Sequence, residues 1–176
     1  MWTLLPIEPA FARKLLNSAK DGLGYRQAGL GQHAQKLTAL RSDSIRWVER
    51  TQGSTETDLL NRLEELQQQL QDYFRISLKK VESHFSVYEP GQFYVRHRDT
   101  AAASVDGTAR IFSFVIYLNP DWKNGDGGEL RGYSGDNVLF QIEPHLGSMI
   151  LFRSDVEHEV LPAHRTRYAL TGWFRK

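Results

Sequence analysis

The sequence predicts a mainly β fold of the jelly-roll type with flanking helices, and three patterns along its 176 residues support this class. Two amphipathic helical stretches lie before residue 80, and from Ser83 the chain consists of short β-branched and aromatic runs. Pro-Gly, Asp-Gly, Asn-Gly and Gly-Gly pairs separate these runs, and such pairs mark turns. Strands that follow helices in this way indicate a β-sandwich or barrel packed against helices.

The first part of the chain supplies the predicted helices. Residues 8–20 have an apolar face that includes Leu15 and Leu16, and Asp21-Gly22 is a plausible stop. A glycine-rich stretch then predicts a loop, and residues 40–48 predict a short strand. The clearer helix has apolar residues at helical spacing, and we expect its apolar stripe to pack on a sheet. These residues are Leu59, Leu63, Leu66, Leu70 and Phe74.

Eight strands are predicted in the remainder of the chain, from their β-branched and aromatic content and their turn boundaries. They cover residues 83–89, 92–98, 110–118, 128–133, 137–142, 148–153, 157–161 and 167–175. No internal repeat, low-complexity tract or linker interrupts them. We therefore expect one domain over residues 1–176, with helical N-terminal support in 1–80 and a β core in 81–176.

Composition excludes several classes of protein and of metal site. Cysteine is absent, which excludes disulfides and thiolate ligands, so any metal must bind His and carboxylate groups. Lys and Arg total 22 against 21 Asp and Glu, a balance that argues against a nucleic-acid partner. No apolar run approaches the ~20 residues of a membrane helix, and the first residues lack the basic region of a targeting signal. We therefore expect a cytoplasmic protein without a membrane partner.

Candidate metal ligands occur in two predicted strands. Alternation along a strand would place His97 and Asp99 on one face, and a jelly roll can bring His158 beside them. Two histidines and one carboxylate with open positions are the set that suits non-haem Fe(II) in oxygenases. The spacing alone is weak evidence, because a solvated pair at a strand end would have the same sequence pattern.

A buried arginine gives a second indication. The C-terminal strand places Arg167, Thr171 and Trp173 on one face, and a buried Arg needs a partner because an unpaired buried charge is unfavourable. An internal salt bridge or an anionic ligand would each supply that partner. The small side chains on this face leave room for a bidentate carboxylate, and Tyr117 on the strand 110–118 is a candidate second donor.

Charge counting indicates which anion would fit. Fe(II) with Asp99 carries one net positive charge and Arg167 adds another. A dianion that chelates the metal at one end and meets Arg167 at the other would make the closed site neutral. 2-Oxoglutarate is such a dianion.

Five motifs in order complete the pattern: YVRHRD at 94–99, IYLNPDW at 116–122, GGELR at 127–131, HEVLPA at 158–163 and TRYALTGW at 166–173. With these motifs the sequence resembles the 2-oxoglutarate/Fe(II) oxygenases of the prolyl 4-hydroxylase family. Within that family it is most similar to the oxygen-sensing, HIF-type prolyl hydroxylases and their bacterial relatives.

The resemblance implies a double-stranded β-helix with His97, Asp99 and His158 as iron ligands, and with Arg167 and Tyr117 on the distal carboxylate of 2-oxoglutarate. The implied lining of the co-substrate pocket is Tyr88, Leu130, Val160, Thr171 and Trp173. Implied contacts to the substrate peptide are Arg110, Arg41 and Asp43.

The implied activity is that of an Fe(II)- and 2-oxoglutarate-dependent dioxygenase, which consumes O₂, is supported by ascorbate, and forms succinate and CO₂. We expect hydroxylation of a prolyl residue in a protein or peptide held between residues 36–47 and a mobile loop at 100–108. Hydroxylation of another residue or of a small molecule, or a non-catalytic metal-binding β-barrel, are the alternatives. Nucleic-acid demethylation of the AlkB type is disfavoured because an expected Asn between Arg167 and Thr171 is absent.

Overall fold

Antiparallel pairing organises the β-strands into two sheets, seen in a computed structural model that describes residues 1–28, 40–101 and 107–176. Within these residues there are two α-helices, eleven strands and one 3₁₀ turn. The helices are α1 (Pro9–Asp21) and α2 (Thr55–Phe74), and the 3₁₀ turn covers Asp99–Ala101. The strands are β1 (Trp2–Pro6), β2 (Arg26–Gln27), β3 (Ser44–Trp47), β4 (Lys80–Tyr88), β5 (Tyr94–His97), β6 (Arg110–Tyr117), β7 (Leu130–Ser134), β8 (Asn137–Ile142), β9 (Ser148–Arg153), β10 (Glu157–Val160) and β11 (Arg167–Arg175).

The major sheet has seven strands in the order β1-β9-β6-β11-β4-β3-β2, and the minor sheet has four in the order β5-β10-β7-β8. Neighbouring strands in both sheets are antiparallel. This two-sheet arrangement with two helices confirms the predicted mainly β, jelly-roll class.

Alternation along the strands of the major sheet gives it two buried faces. Phe114 and Leu170 belong to one apolar cluster, which they share with Leu15 of α1 and Leu59 of α2. Tyr117 and Ala169 belong to a second cluster, shared with Leu130 and Val160 of the minor sheet. The helices therefore cover one face of the major sheet, and the other face meets the minor sheet, as the period-2 patterns of the sequence indicate.

Helix α2 begins and ends through local hydrogen bonds. The Ser54 hydroxyl accepts the Thr57 backbone N–H at 3.1 Å, which satisfies one of the free donors of the first turn. At the other end Arg75 adopts a left-handed backbone with φ of 55°, and its N–H bonds to the Gln71 carbonyl. The apolar stripe predicted for this helix packs on the major sheet, because Leu59, Leu63 and Leu70 are buried there.

Several predicted boundaries differ from the observed ones. Strand β1 was not predicted, because within the described chain it pairs with β9, far along the sequence, and an edge strand of five residues carries little local signal. The two residues of β2 lie in the stretch predicted as a glycine-rich loop. β7 begins at Leu130 rather than at residue 128, since Gly127 and Gly128 have φ of 71° and 68°, outside the strand region.

Two further expectations concern loops. Gly29 and Gly31 of the predicted glycine-rich loop, and residues 102–106 of the predicted mobile loop, lie outside the described residues.

Among the helices that are described, none is both long and apolar enough to cross a membrane.

Candidate active site

The two sheets enclose a cavity of about 120 Å³ that is lined by residues of both. A single water needs only ~10–15 Å³ on this measure, so the cavity has room for a small organic anion. His97, Asp99 and His158 lie in its wall, and Arg167 lies in the wall formed by β11. The cavity therefore contains both the candidate metal ligands and the candidate anion-binding arginine.

The three candidate ligands meet although they come from separate elements. Strand β10 pairs with β5 so that His158 lies opposite His97. Asp99 does not continue the β5 strand as predicted, because it is the first residue of the 3₁₀ turn. Its backbone N–H donates to the Ser154 carbonyl at 3.1 Å, which holds the start of the turn in place. One donor atom from each of the three side chains lies within 4.8 Å of the others. That spacing allows all three to bind one ion.

Backbone carbonyls orient both imidazole rings. His97 Nδ1 lies 2.8 Å from the Val95 carbonyl oxygen, and His158 Nδ1 lies 2.9 Å from that of Val156. Because a carbonyl can only accept, each Nδ1 carries the hydrogen and each Nε2 presents its lone pair. The two Nε2 atoms lie 3.6 Å from the Asp99 carboxylate oxygens, which is the arrangement expected of ligands facing a shared cation.

Asp99 is buried yet remains ionised. Burial acts to raise the pKa of its carboxyl, but the nearby His158 and His97 and a hydrogen bond from the Ser113 hydroxyl hold that pKa well below its usual range. The Ser113 hydroxyl donates to Oδ2 at 2.6 Å and lies 2.9 Å from the Ser154 hydroxyl. This hydroxyl pair fixes the carboxylate orientation and leaves Oδ1 free to bind a cation.

Replacing Ser113 with alanine is expected to weaken Fe(II) binding by about 10–100-fold, because partners that orient metal ligands typically contribute that much affinity. Anaerobic Fe(II) titration measures the effect. Ser83→Ala is the matched control, since Ser83 is equally buried but its hydroxyl bonds to no described residue. Equal Fe(II) affinity in the two variants would exclude an orienting role for Ser113.

Arg167 is fully buried with one side of its guanidinium group available. Its exposed fraction is 1%, and its Nε donates to the Gly128 carbonyl at 2.8 Å. Its Nη2 has no hydrogen-bonding partner among the described residues, which also contain no carboxylate paired with it. The internal salt bridge considered from the sequence is therefore not formed within the described chain.

Two phenols lie beside this arginine. The Arg167 guanidinium carbon is 5.0 Å from the Tyr88 ring centroid and 5.4 Å from that of Tyr117. Burial raises the pKa of both phenols, although Arg167 acts in the opposite direction, so both hydroxyls stay protonated and can donate. The buried Tyr117 hydroxyl also has no partner among the described residues. A buried donor without an acceptor is unfavourable, so the unpaired donors of Arg167 and Tyr117 indicate that an acceptor binds there. A carboxylate would accept from both.

The absence of a side chain at Gly128 leaves the space that the Arg167 side chain occupies. The φ of Gly128 is 68°, and a Cβ added there would lie 2.8 Å from the Arg167 Cδ. We expect Gly128→Ala to raise the apparent KM for the anion bound by Arg167 several-fold, and to lower the free energy of unfolding by about 1–3 kcal/mol. Gly135→Ala is the control, because Gly135 has φ of 58° but open space around it. A KM increase of similar size in the control would attribute the effect to backbone strain alone.

The remaining residues predicted for the co-substrate pocket lie in the cavity wall. Leu130 and Val160 contribute from the minor sheet, and Thr171 and Trp173 from β11, as does Tyr88 from β4. Tyr117 lies behind the surface of the cavity, fully buried against this wall. Their role in binding 2-oxoglutarate stays a prediction.

Two of the three residues predicted to contact a substrate lie in the cavity wall, and the third is buried beside one of them. Arg41 and Arg110 line the cavity, and Asp43 receives two hydrogen bonds from Arg41, at 2.6 and 3.0 Å. The Arg110 guanidinium stacks on Trp173 at 3.5 Å from the ring centroid. Glu82 lies 3.5 Å from Arg110 and also pairs with Arg175 at 2.6 Å. These charges are therefore held in place by neighbouring groups.

Seven residues of the cavity wall were not predicted as site residues: Ile45, Trp47, His84, Tyr94, Ser113, Val115 and Phe152. Tyr94 stacks on His97 with ring centroids 3.6 Å apart, and Phe152 meets His158 edge-on at 4.9 Å. His84, assigned by default to the core or the surface, is buried and faces the cavity. Alternation from Tyr88 along the predicted strand 83–89 was the signal that would have found it.

The sequence of this site has known relatives. The family model described as the 2OG-Fe(II) oxygenase superfamily matches residues 83–175, which is more than half of the chain. The chain belongs to this superfamily. Membership confirms the predicted resemblance and the predicted cofactor set of Fe(II), 2-oxoglutarate and O₂, which the donor groups of the cavity fit.

Individual relatives within the superfamily are also similar. Egl nine homolog 1 of Rattus norvegicus is 31% identical over 155 residues, which is 82% of this chain and 44% of that protein. The chain thus spans less than half the length of this relative. A Pseudomonas putida prolyl-4-hydroxylase has a TM-score of 0.87 and 34% identity, covering 99% of this chain and 92% of its own.

A third likeness concerns the fold alone. The prolyl hydroxylase of Trichoplax adhaerens, solved with a hypoxia inducible factor peptide, has a TM-score of 0.81 at 23% identity. It covers 98% of this chain and 82% of that one.

Proposed function

We propose that this superfamily member is an Fe(II)- and 2-oxoglutarate-dependent dioxygenase that hydroxylates a prolyl residue in a protein or peptide. The observation that carries the proposal is one cavity with a His-Asp-His cluster in its wall and an unpaired, buried arginine lining it as well. When bound, Fe(II) and 2-oxoglutarate supply the chemistry: they activate O₂ and couple decarboxylation to succinate and CO₂ with hydroxylation of a C–H bond.

The protein's own contribution is to hold and orient these groups. His97 and His158 present Nε2 because their Nδ1 hydrogens are engaged by backbone carbonyls, and Asp99 stays ionised. Arg167 and the Tyr117 hydroxyl, with Tyr88 beside them, donate to the distal carboxylate of 2-oxoglutarate. The charges of the metal, Asp99, Arg167 and the dianion then sum to zero, which favours their burial together.

Water is kept from the reacting groups by the apolar part of the wall. Val115, Phe152, Leu130 and Val160 line the cavity and belong to the apolar cluster shared by the two sheets. Exclusion of water strengthens the hydrogen bonds within the cavity and limits side reactions. No side chain is required as a general base in this account.

Prolyl specificity is supported by the names of the relatives, since the Pseudomonas putida structure is described as a prolyl-4-hydroxylase. We propose that Arg110 and Arg41, which line the cavity, and Asp43, which is bonded to Arg41, form the contacts to the substrate chain. We also propose that residues 1–176 form one catalytic domain, that ascorbate supports turnover, and that the protein acts in the cytoplasm.

The proposal is tested by incubating the purified protein with Fe(II), 2-oxoglutarate, ascorbate and a cell lysate, followed by peptide mass spectrometry. The expected result is a gain of one oxygen atom on proline in one or a few lysate proteins, with succinate formed in parallel. Oxygen added only to another residue type would overturn the prolyl assignment. Absence of succinate would overturn the assignment of an oxygenase and favour a non-catalytic binding module.

A further inference from the structure

His84 lies in the cavity wall but has no part in metal or 2-oxoglutarate binding as described above. It lies on β4, opposite Trp47 of β3 on one side and Thr171 of β11 on the other. Its exposed fraction is 1%. Arg167 lies four residues from Thr171 along β11, which is on the order of 13 Å of strand. His84 is therefore at the part of the cavity remote from the Arg167 end of the site.

Neighbouring groups fix the orientation of the His84 ring. The ring centroid lies 5.1 Å from that of Trp47 and 5.4 Å from that of Trp173, so the imidazole is confined between two indoles. Its Nε2 lies 3.4 Å from Arg41 Nη2, and Arg41 is itself held by its two hydrogen bonds to the buried Asp43. An arginine can only donate, so Nε2 is the acceptor and Nδ1 carries the hydrogen.

The imidazole is also neutral. Burial lowers the pKa of His84 to about 3, and the charges of Arg41 and Arg110 act in the same direction, whereas Asp99 opposes them. The ring thus offers one N–H donor, at Nδ1, which is buried and has no partner among the described residues. Trp173 Nε1, in the same wall, is a second buried donor without a described partner. Buried donors normally have acceptors.

We propose that His84 is a specificity-determining residue whose Nδ1–H donates to a backbone carbonyl oxygen of the substrate chain, with Trp173 Nε1–H as the neighbouring donor. This inference rests on the proposed prolyl hydroxylase function. A neutral acceptor suits neutral donors, and every residue of a peptide brings a carbonyl that must be paired when it enters a closed site. The two indoles offer apolar surfaces beside that carbonyl, and Trp47 is 47% exposed toward the outside.

Three substitutions of His84 distinguish the contribution of Nδ1 to peptide binding from that of Nε2. Asparagine places its amide N–H near the position of Nδ1, glutamine places its amide near Nε2, and leucine keeps the volume without either group. The probe is the blocked peptide acetyl-Ala-Pro-Gly-amide, added to protein that contains 2-oxoglutarate and Zn(II) in place of Fe(II). We expect His84→Leu and His84→Gln to weaken peptide binding by about tenfold and His84→Asn by much less. His145→Leu, at an exposed histidine paired with Glu143, is the control.

A direct readout uses wild-type protein labelled with ¹⁵N-histidine. Adding the peptide is expected to shift the His84 Nδ1–H resonance, whereas a histidine with only a packing role would not respond. An unshifted resonance, or recovery of binding by His84→Gln rather than by His84→Asn, would overturn the proposal. This test involves no turnover. If the peptide shifts the His84 resonance but the protein hydroxylates no proline, the proposed function is rejected. The hydrogen bond from His84 to a peptide carbonyl would still stand.

Discussion

Replacement of Asp99 by alanine is expected to reduce succinate formation by at least about 100-fold, because it removes the only carboxylate of the candidate metal cluster. Changing a residue that merely orients a ligand already costs about 10–100-fold in affinity or activity, so loss of the ligand itself should cost more. The variant also leaves His97 and His158 facing a cation without its compensating negative charge. Fe(II) affinity and succinate formation should therefore fall together.

Asp155→Ala is the matched control for this prediction. Asp155 lies three residues before His158 in the sequence. Unlike Asp99 it is exposed, and it pairs with Arg153 at 2.5 Å. We expect this variant to retain wild-type turnover. Full turnover by Asp99→Ala would eliminate the assignment of the three metal ligands.

Replacement of Arg167 by alanine is expected to raise the apparent KM for 2-oxoglutarate at least tenfold. A hydrogen bond to a charged group contributes about 1.5–3 kcal/mol, which corresponds to about 10–150-fold in affinity. Arg167→Lys should recover only part of this loss, since lysine keeps the charge but lacks the planar fork that meets a carboxylate with two hydrogen bonds. Succinate formation at varied 2-oxoglutarate concentration measures the effect.

Arg165→Ala provides the control two residues away. Arg165 is exposed, pairs with Asp126 at 3.1 Å and does not line the cavity. Its removal should leave the KM for 2-oxoglutarate unchanged. An unchanged KM in Arg167→Ala would instead reject the role of this arginine, and a separate measurement of the melting temperature distinguishes loss of binding from loss of the fold.

The β core of the fold was predictable because its strands alternate clearly between two buried faces. In β11 the polar or small Arg167, Ala169 and Thr171 alternate with Tyr168 and Leu170, and the structure places these sets on opposite faces. Strand β1 was not predictable in the same way. Its pairing with β9 spans almost the whole chain, and no local pattern specifies such a long-range edge contact.

Placement of the site was predictable in part. The period-2 argument identified His97 and Asp99 as neighbours, although Asp99 reaches the cluster from a 3₁₀ turn fixed by Ser154 rather than from a continued strand. The hydroxyl of Ser113 that orients Asp99 could not be inferred, since it depends on the register of β6 against β9. The position of His84 could have been read from alternation in the predicted strand 83–89, but its tautomer could not, because the tautomer depends on a contact with Arg41 outside that strand.

The most direct test of the central claim is an isotopic one. Purified protein with Fe(II) and 2-oxoglutarate is supplied with ¹⁸O₂, with and without a prolyl peptide recovered from the lysate experiment. We expect succinate that carries one oxygen atom from O₂, and hydroxyproline that carries the other when the peptide is present. Succinate without label, or hydroxyproline whose oxygen comes entirely from water, would contradict this expectation.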